Sequence, residues 1–282
     1  MNIWKAIARS AQGLTHQQTG QPCQDYARYA ILPNETLIGA VAGGSDSANF
    51  AYFGAVLAAE SSLRTLEEYL YQNHGQIPSS QEGSRQLFIC LYHDALIQIE
   101  KIARIHRCEV KDFACTLLVF VATSQGMLAM QIGGGLLVVR QAHGMYHLLF
   151  QAVQKQLAHP TIFVTSENAF EAMQVRVLQV PPVFMCAATD GLERVALRLQ
   201  DWTPHASFFR PLEDYLTATL DPERSPEYLE QFLASNWLSQ WTTNDKTILL
   251  AQRRSVDGHY RQFKTTENAP DSRLNGGYRQ QS

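Results

Sequence analysis

No stretch of this 282-residue chain approaches the ~18 consecutive apolar residues that cross a bilayer. The opening Met-Asn-Ile-Trp-Lys-Ala lacks the apolar centre of a secretory signal. A membrane partner is therefore excluded, and the expectation is a cytoplasmic protein. Charged residues make up only 17% of the chain, the net charge is -3, and no basic run stands out. Nucleic acid is excluded as the main partner, because phosphate neutralisation needs clustered Lys and Arg. Cysteine is scarce: Cys23, Cys90, Cys108, Cys115 and Cys186 make an odd set with no Cys-x-x-Cys pair. That reads as reduced core thiols, not as a disulfide framework. There is no Rossmann fingerprint, no Walker loop and no repeat of solenoid period.

Apolar residues make up 45%, enough for a full core in one domain. Strand patterns cover Trp4–Ser10, Tyr26–Leu32 and Thr36–Ala42, with a polar loop from Gly13 to Asp25. The period then becomes helical. Val56, Ala59, Leu63, Leu66 and Leu70 predict a helix over Asn49–Gln72. A loop over Asn73–Ser84 precedes a second helix with Phe88, Tyr92, Ala95, Ile99 and Ile102 on one face, and the two should pair. Ala114–Thr123, Met127–Ile132, Leu136–Arg140 and Met145–Phe150 read as a meander of strands, and Val153–Ser166 as irregular. Met173–Val180 and Val183–Ala188 are strands, Gly191–Leu199 a helix beside Asp190. Phe208–Leu216 and Pro226–Leu238 are helices, the latter with Ser225 as its cap, and Thr247–Ala251 is the last strand. The domain is expected over residues 1–254, and the polar stretch 255–282 as a disordered tail. This order suits antiparallel sheets packed together with helices outside.

Three buried-looking strands end in bare glycine turns: Gly43-Gly44, Gly133-Gly134-Gly135 and Thr189-Asp190-Gly191. Glycine there permits positive φ and close approach of another group. Asp25, Asp190 and Asp245 stand at turns beside strands and are candidates for a shared cleft. Oxygen ligands of this kind suit Mg²⁺ or Mn²⁺, and such ions suit phosphate ester hydrolysis. The competing account is that Asp190 caps the following helix and the other two start turns.

The order of motifs resembles the PPM family, the metal-dependent serine/threonine phosphatases of type 2C, in its bacterial branch. The matching pieces are Ser10–Gly13 with His16, Gly20–Asp25, Ala40–Ala42 with Gly44, and Gly54-Ala55. Asp112–Leu118, Gln131–Gly133 with Gly135, Phe163–Asn168, Ala188–Leu192 and Asn244–Thr247 complete the series. The resemblance implies an α+β fold, a four-layer α-β-β-α sandwich of two antiparallel sheets flanked by helix pairs. It implies a two-metal centre, Mn²⁺ or Mg²⁺, activating water against phosphoserine or phosphothreonine in a phosphorylated protein. Asp190 and Asp245 match metal-binding aspartates, Gly44 the glycine whose carbonyl reaches the second metal, and Asp25 an acidic residue near that metal's waters. His16 would face the phosphate. Two positions depart: the bridging aspartate is Gly43, and the aspartate of the family's Gly-Asp-Gly turn is Gly134. Asp46, three residues past Gly43, is a candidate substitute. The resemblance thus points to an impaired phosphatase that acts by binding. The alternative is an active enzyme using Asp25, Asp190, Asp245 and Asp46.

Overall fold

A computed structural model describes residues 4–150 and 161–254. Its strands are β1 (Trp4–Ala11), β2 (Tyr26–Leu32), β3 (Thr36–Ala42), β4 (Leu117–Ala122), β5 (Met127–Ile132) and β6 (Leu136–Arg140). They continue as β7 (Tyr146–Leu148), β8 (Gln174–Leu178), β9 (Phe184–Ala188), β10 (Leu197–Arg198), β11 (Thr203–Pro204) and β12 (Lys246–Arg253). One antiparallel sheet runs β1-β12-β9-β6-β7 and the other β2-β3-β4-β5-β8, with β10-β11 a separate pair.

The sheets stack because their central strands are apolar on both faces. On β3, Leu37 and Val41 enter the core between the sheets, while Ile38, Ala40 and Ala42 face helices. On β12, Leu249 and Ala251 point inward, while Ile248 and Leu250 point outward. The long helices α2 (Ala51–Gln72) and α3 (Gln81–His106), which follow the short α1 (Leu14–Thr19), cover the β3 side. Two short helices, α4 (Ala169–Ala172) and α5 (Glu193–Ala196), precede α6 (Ala206–Ala218), α7 (Glu227–Leu233) and α8 (Asn236–Ser239). Of these, α5, α6 and α7 help cover the outer face of the other sheet. The result is the expected α+β arrangement, helices outside two antiparallel sheets.

Several local expectations need correction. The polar loop after β1 holds α1, whose six residues bury only His16 and so carry no apolar stripe. The second long helix starts at Gln81, because Ser80 caps it by accepting from the Gly83 N–H. The strand expected from Ala114 begins at Leu117, since residues 110–113 form a 3-10 turn closed by Glu109 and Asp112. Beside Asp190 there is no continuous helix: a 3-10 turn leads into α5 and then β10, whose pairing with β11 takes over the backbone. The helix expected over Pro226–Leu238 breaks into α7 and α8, because Ser235 starts a new cap by accepting from Leu238 N–H. Ser225 instead closes the 3-10 turn over 222–224 by donating its N–H to Pro222 O, and Pro226 holds the cap position of α7. Most of the irregular Val153–Ser166 segment and the polar 255–282 stretch lie outside the described residues. No described helix is long and apolar enough to cross a membrane.

Candidate active-site cleft

Strand ends converge at one end of the sandwich. Gly43 follows β3, Asp190 follows β9, and Asp245 precedes β12. Strand pairing fixes their proximity: Ala188 stands opposite Ile248, and Tyr26 opposite Ala42. The cleft between them, about 240 Å3, is lined by Asp25, Gly43, Gly44, Asp46, Thr116, Asp190 and Asp245, among others. The Gly43-Gly44 turn and three aspartates far apart in the chain thus meet in one hollow.

Asp245 is buried, and both its oxygens are taken. Oδ1 accepts from Gly13 N–H at 2.6 Å, and Oδ2 accepts from Gln24 N–H at 2.6 Å. Oδ2 also meets His16 Nδ1 at 2.9 Å. Asp245 therefore ties the start of α1 and the approach to β2 onto β12. The other ring nitrogen of His16, Nε2, lies 3.6 Å from Asp46 Oδ1, so carboxyl groups flank His16 on both edges. Asp46 itself is exposed on the loop after Gly44.

Asp25 is buried, and its Oδ2 accepts from Thr189 Oγ1–H at 2.7 Å. Burial dominates its titration, pushing the carboxyl up to about 8; Asp245 and Asp190 push the same way, and the Thr189 bond opposes them. Asp190 is exposed at the cleft surface but stands in a concave wall with protein on most sides. Its carboxyl is also raised, first by that desolvation and then by Asp46. It does not cap the following turn; Thr189 holds that position and makes no capping bond. Behind the wall, Lys246 is buried, and desolvation lowers its ammonium pKa despite the nearby Asp245.

Gly43 and Gly134 sit where a side chain would approach the aspartates. Gly43 has no positive φ. A Cβ there would stand 3.4 Å from Asp25 Oδ1 and 3.2 Å from Thr116 Oγ1, so an aspartate side chain would start out beside Asp25. A Cβ on Gly134 would stand 3.4 Å from Asp190 Cβ. Gly44 must remain glycine, because its Cβ would lie 2.6 Å from Gln24 O.

As built, the residues present do not fit a pair of divalent cations. Among the described residues, no three of His, Cys, Asp and Glu converge to hold a metal ion. Asp245 already has three N–H donors, Asp25 spends one oxygen on Thr189, and no side chain leaves Gly43. Sequence reading picked out the aspartates but not the residues that hold them. Thr189 Oγ1 donates to Asp25 and accepts from Thr247 N–H, locking β9 to β12 beneath the cleft. Thr116 Oγ1 accepts from Gly43 N–H at 3.0 Å and pins the Gly43-Gly44 turn. Glu193 accepts from Gly135 N–H at 2.8 Å, with its carboxyl pushed up to about 7 chiefly by burial. Thr189 and Thr116 are short polar side chains inside motifs and Glu193 lies just past one, and only their long-range partners reveal their roles.

A family model described as Protein phosphatase 2C matches residues 12–234. Serine/threonine-protein phosphatase 3 of Escherichia coli (strain K12) is 29% identical over 254 residues, covering 88% of this chain and 98% of the relative. PppA of Pseudomonas aeruginosa, described as a key regulatory component of T6SS, superposes with a TM-score of 0.59 at 17% identity, over 89% of this chain and 97% of its own. Serine/threonine phosphatase Stp1 from Staphylococcus aureus superposes at 0.58 and 11% identity, over 89% and 95%. The structural likeness establishes the fold alone. The family match spans most of the chain and both helical layers, and by it this chain belongs to the protein phosphatase 2C family.

Proposed function

We propose that this chain is a phosphatase-fold protein that works by binding another protein, with its hydrolytic centre disabled. One observation carries the reading: the backbone at Gly43 aims a Cβ at Asp25, and no carboxylate leaves it. Phosphatases of this family depend on metal ions. Loss of an outer-shell partner already costs 10- to 100-fold in metal affinity or activity, so a missing bridge should cost on the order of 100-fold or more. The empty position at Gly134 removes a further carboxylate beside Asp190. Family membership makes a phosphorylated protein the natural class of partner. Among the described residues the cleft lining holds no Lys or Arg.

A second reading has one observation in its favour. Asp46 lines the same cleft and acts electrostatically on Asp190, where a substitute ligand would have to stand. The deciding experiment is hydrolysis of an aryl phosphate by the purified chain in millimolar Mn²⁺, beside Asp190→Ala. Equal inertness of the two folded proteins supports the binding role. Turnover that Asp190→Ala abolishes establishes the enzyme and overturns the proposal.

A further inference from the structure

The end of the sandwich opposite the cleft carries a second hollow. Strand β3 begins there at Thr36 and ends at Ala42 beside Gly43, so the two hollows lie at opposite ends of one strand. The distal groove, about 470 Å3, runs between the β2–β3 turn and the last turns of α2. Leu32, Pro33, Leu70 and Tyr71 give it apolar walls, and Glu67 is its acidic lining residue. Tyr71 is 88% exposed, a large ring left on the rim. Thr36 lines the same groove at 2% exposure, and its Oγ1 has no hydrogen-bond partner among the described residues. A buried hydroxyl left unpaired is costly, and an apolar hollow with a few polar groups is the form that binding sites take.

The described chain runs out beside this groove. Trp4 pairs with Arg253 at the end of β12. Trp4 Nε1 donates to Glu35 O at 2.8 Å, and Arg253 Nη2 lies 3.8 Å from Glu35 Oε2. Glu35 sits between Asn34 and Thr36, which both line the groove. Beyond Arg254 the sequence continues over residues 255–282. Tyr260 and Phe263 are its first aromatic residues, and Arg261 and Lys264 each directly follow one of them. The six steps from Arg254 to Tyr260 reach up to about 20 Å, against the ~5 Å between neighbouring strands.

We infer that the groove is the docking site of the chain's own C-terminal stretch, with Tyr260 and Phe263 seated against Leu32, Leu70 and Tyr71. The cations of Arg261 and Lys264 then face Glu67, and a polar group of the incoming segment supplies the partner that Thr36 Oγ1 lacks. Attachment favours this occupant over a free partner, because a segment tethered a few residues away acts at an effective concentration of about millimolar. Its rings bring the apolar area that such a groove rewards. Docking here leaves the cleft at the other end of β3 open, and holds whether or not that cleft hydrolyses phosphate.

The test uses the full chain with p-benzoylphenylalanine in place of Tyr71, irradiated at low micromolar concentration, digested and mapped by mass spectrometry. A monomeric product joined to the stretch 255–264 is expected. Tyr260→Ser combined with Phe263→Ser should lower its yield about 10-fold, and Tyr278→Ser should leave it unchanged. Cross-links to a second copy or elsewhere in the chain, or a yield indifferent to the double substitution, overturn the inference. Hydrogen–deuterium exchange of the unlabelled full chain decides whether or not a cross-link forms. Amides over 67–75 and 255–264 should exchange several-fold more slowly in the native chain than in the double variant, and equal exchange overturns the inference.

Discussion

Gly43 is the residue on which the proposed loss of hydrolysis turns. Its φ suits an L-residue, and the nearest atoms to a new Cβ stand at ordinary or slightly tight distances. Gly43→Asp should therefore fold, bind Mn²⁺ more tightly by calorimetry, and raise Mn²⁺-dependent aryl phosphate hydrolysis by about 10- to 100-fold. A folded variant that binds metal and stays inert would place the defect elsewhere. Asp25 supports a prediction about pH. Its folded-state carboxyl titrates near 8, above the ordinary carboxylate range. The proton is held more tightly in the folded state, so the stability this linkage contributes is complete below about pH 4. It is lost as pH rises through about 8. Metal-free protein should melt lower at pH 9 than at pH 5, and Asp25→Asn should flatten that dependence while keeping an acceptor for Thr189. A melting temperature equally steep in the variant would refute the assignment. Asp245 contrasts with both, because its charge is met by three N–H donors. Asp245→Ala strands those donors and should cost roughly 3–5 kcal/mol in urea unfolding, against at most about 1 kcal/mol for the exposed Asp46→Ala.

The long helices were legible as elements because their apolar residues recur at helical spacing; their joints were not. Gly54 illustrates the joint between α2 and the 3-10 turn before β4. A Cβ on Gly54 would stand 2.0 Å from the Phe113 carbonyl oxygen, so helix and turn touch backbone to backbone. Gly54→Ala should destabilise by about 1–3 kcal/mol through overpacking and lower the urea midpoint. An unchanged midpoint would show that the joint yields freely. The short helices α1 and α4 escaped sequence reading for a different reason, and the helices expected over Gly191–Leu199 and Pro226–Leu238 were read without the breaks that leave α5 and the pair α7 and α8. Each is too brief to display a full apolar period.

At the scale of the molecule, the two sheets are one platform, and the cleft exists only where their strand ends meet. Cations that bind the folded state alone raise its melting temperature in proportion to occupancy. Millimolar Mn²⁺ should leave the melting temperature of the native chain within ~1 °C, and raise that of Gly43→Asp by several degrees. A large shift in the native chain would restore the metal-dependent enzyme as the better account.

The chain by itself determined the two apolar sheets, the two long helices and the turns that end in glycine, because period and turn chemistry are local. It also carried the family resemblance, since that is a matter of residue identity in order. The tertiary structure alone decided which way each side chain faces. That Gly43 points at Asp25, that Asp245 is consumed by Gly13, His16 and Gln24, and that Thr189 braces Asp25 across 164 residues all depend on pairings between distant segments. Local sequence holds no record of such distances. They arise when β3, β9 and β12 are packed edge to edge and face to face, and the character of the cleft follows from that packing.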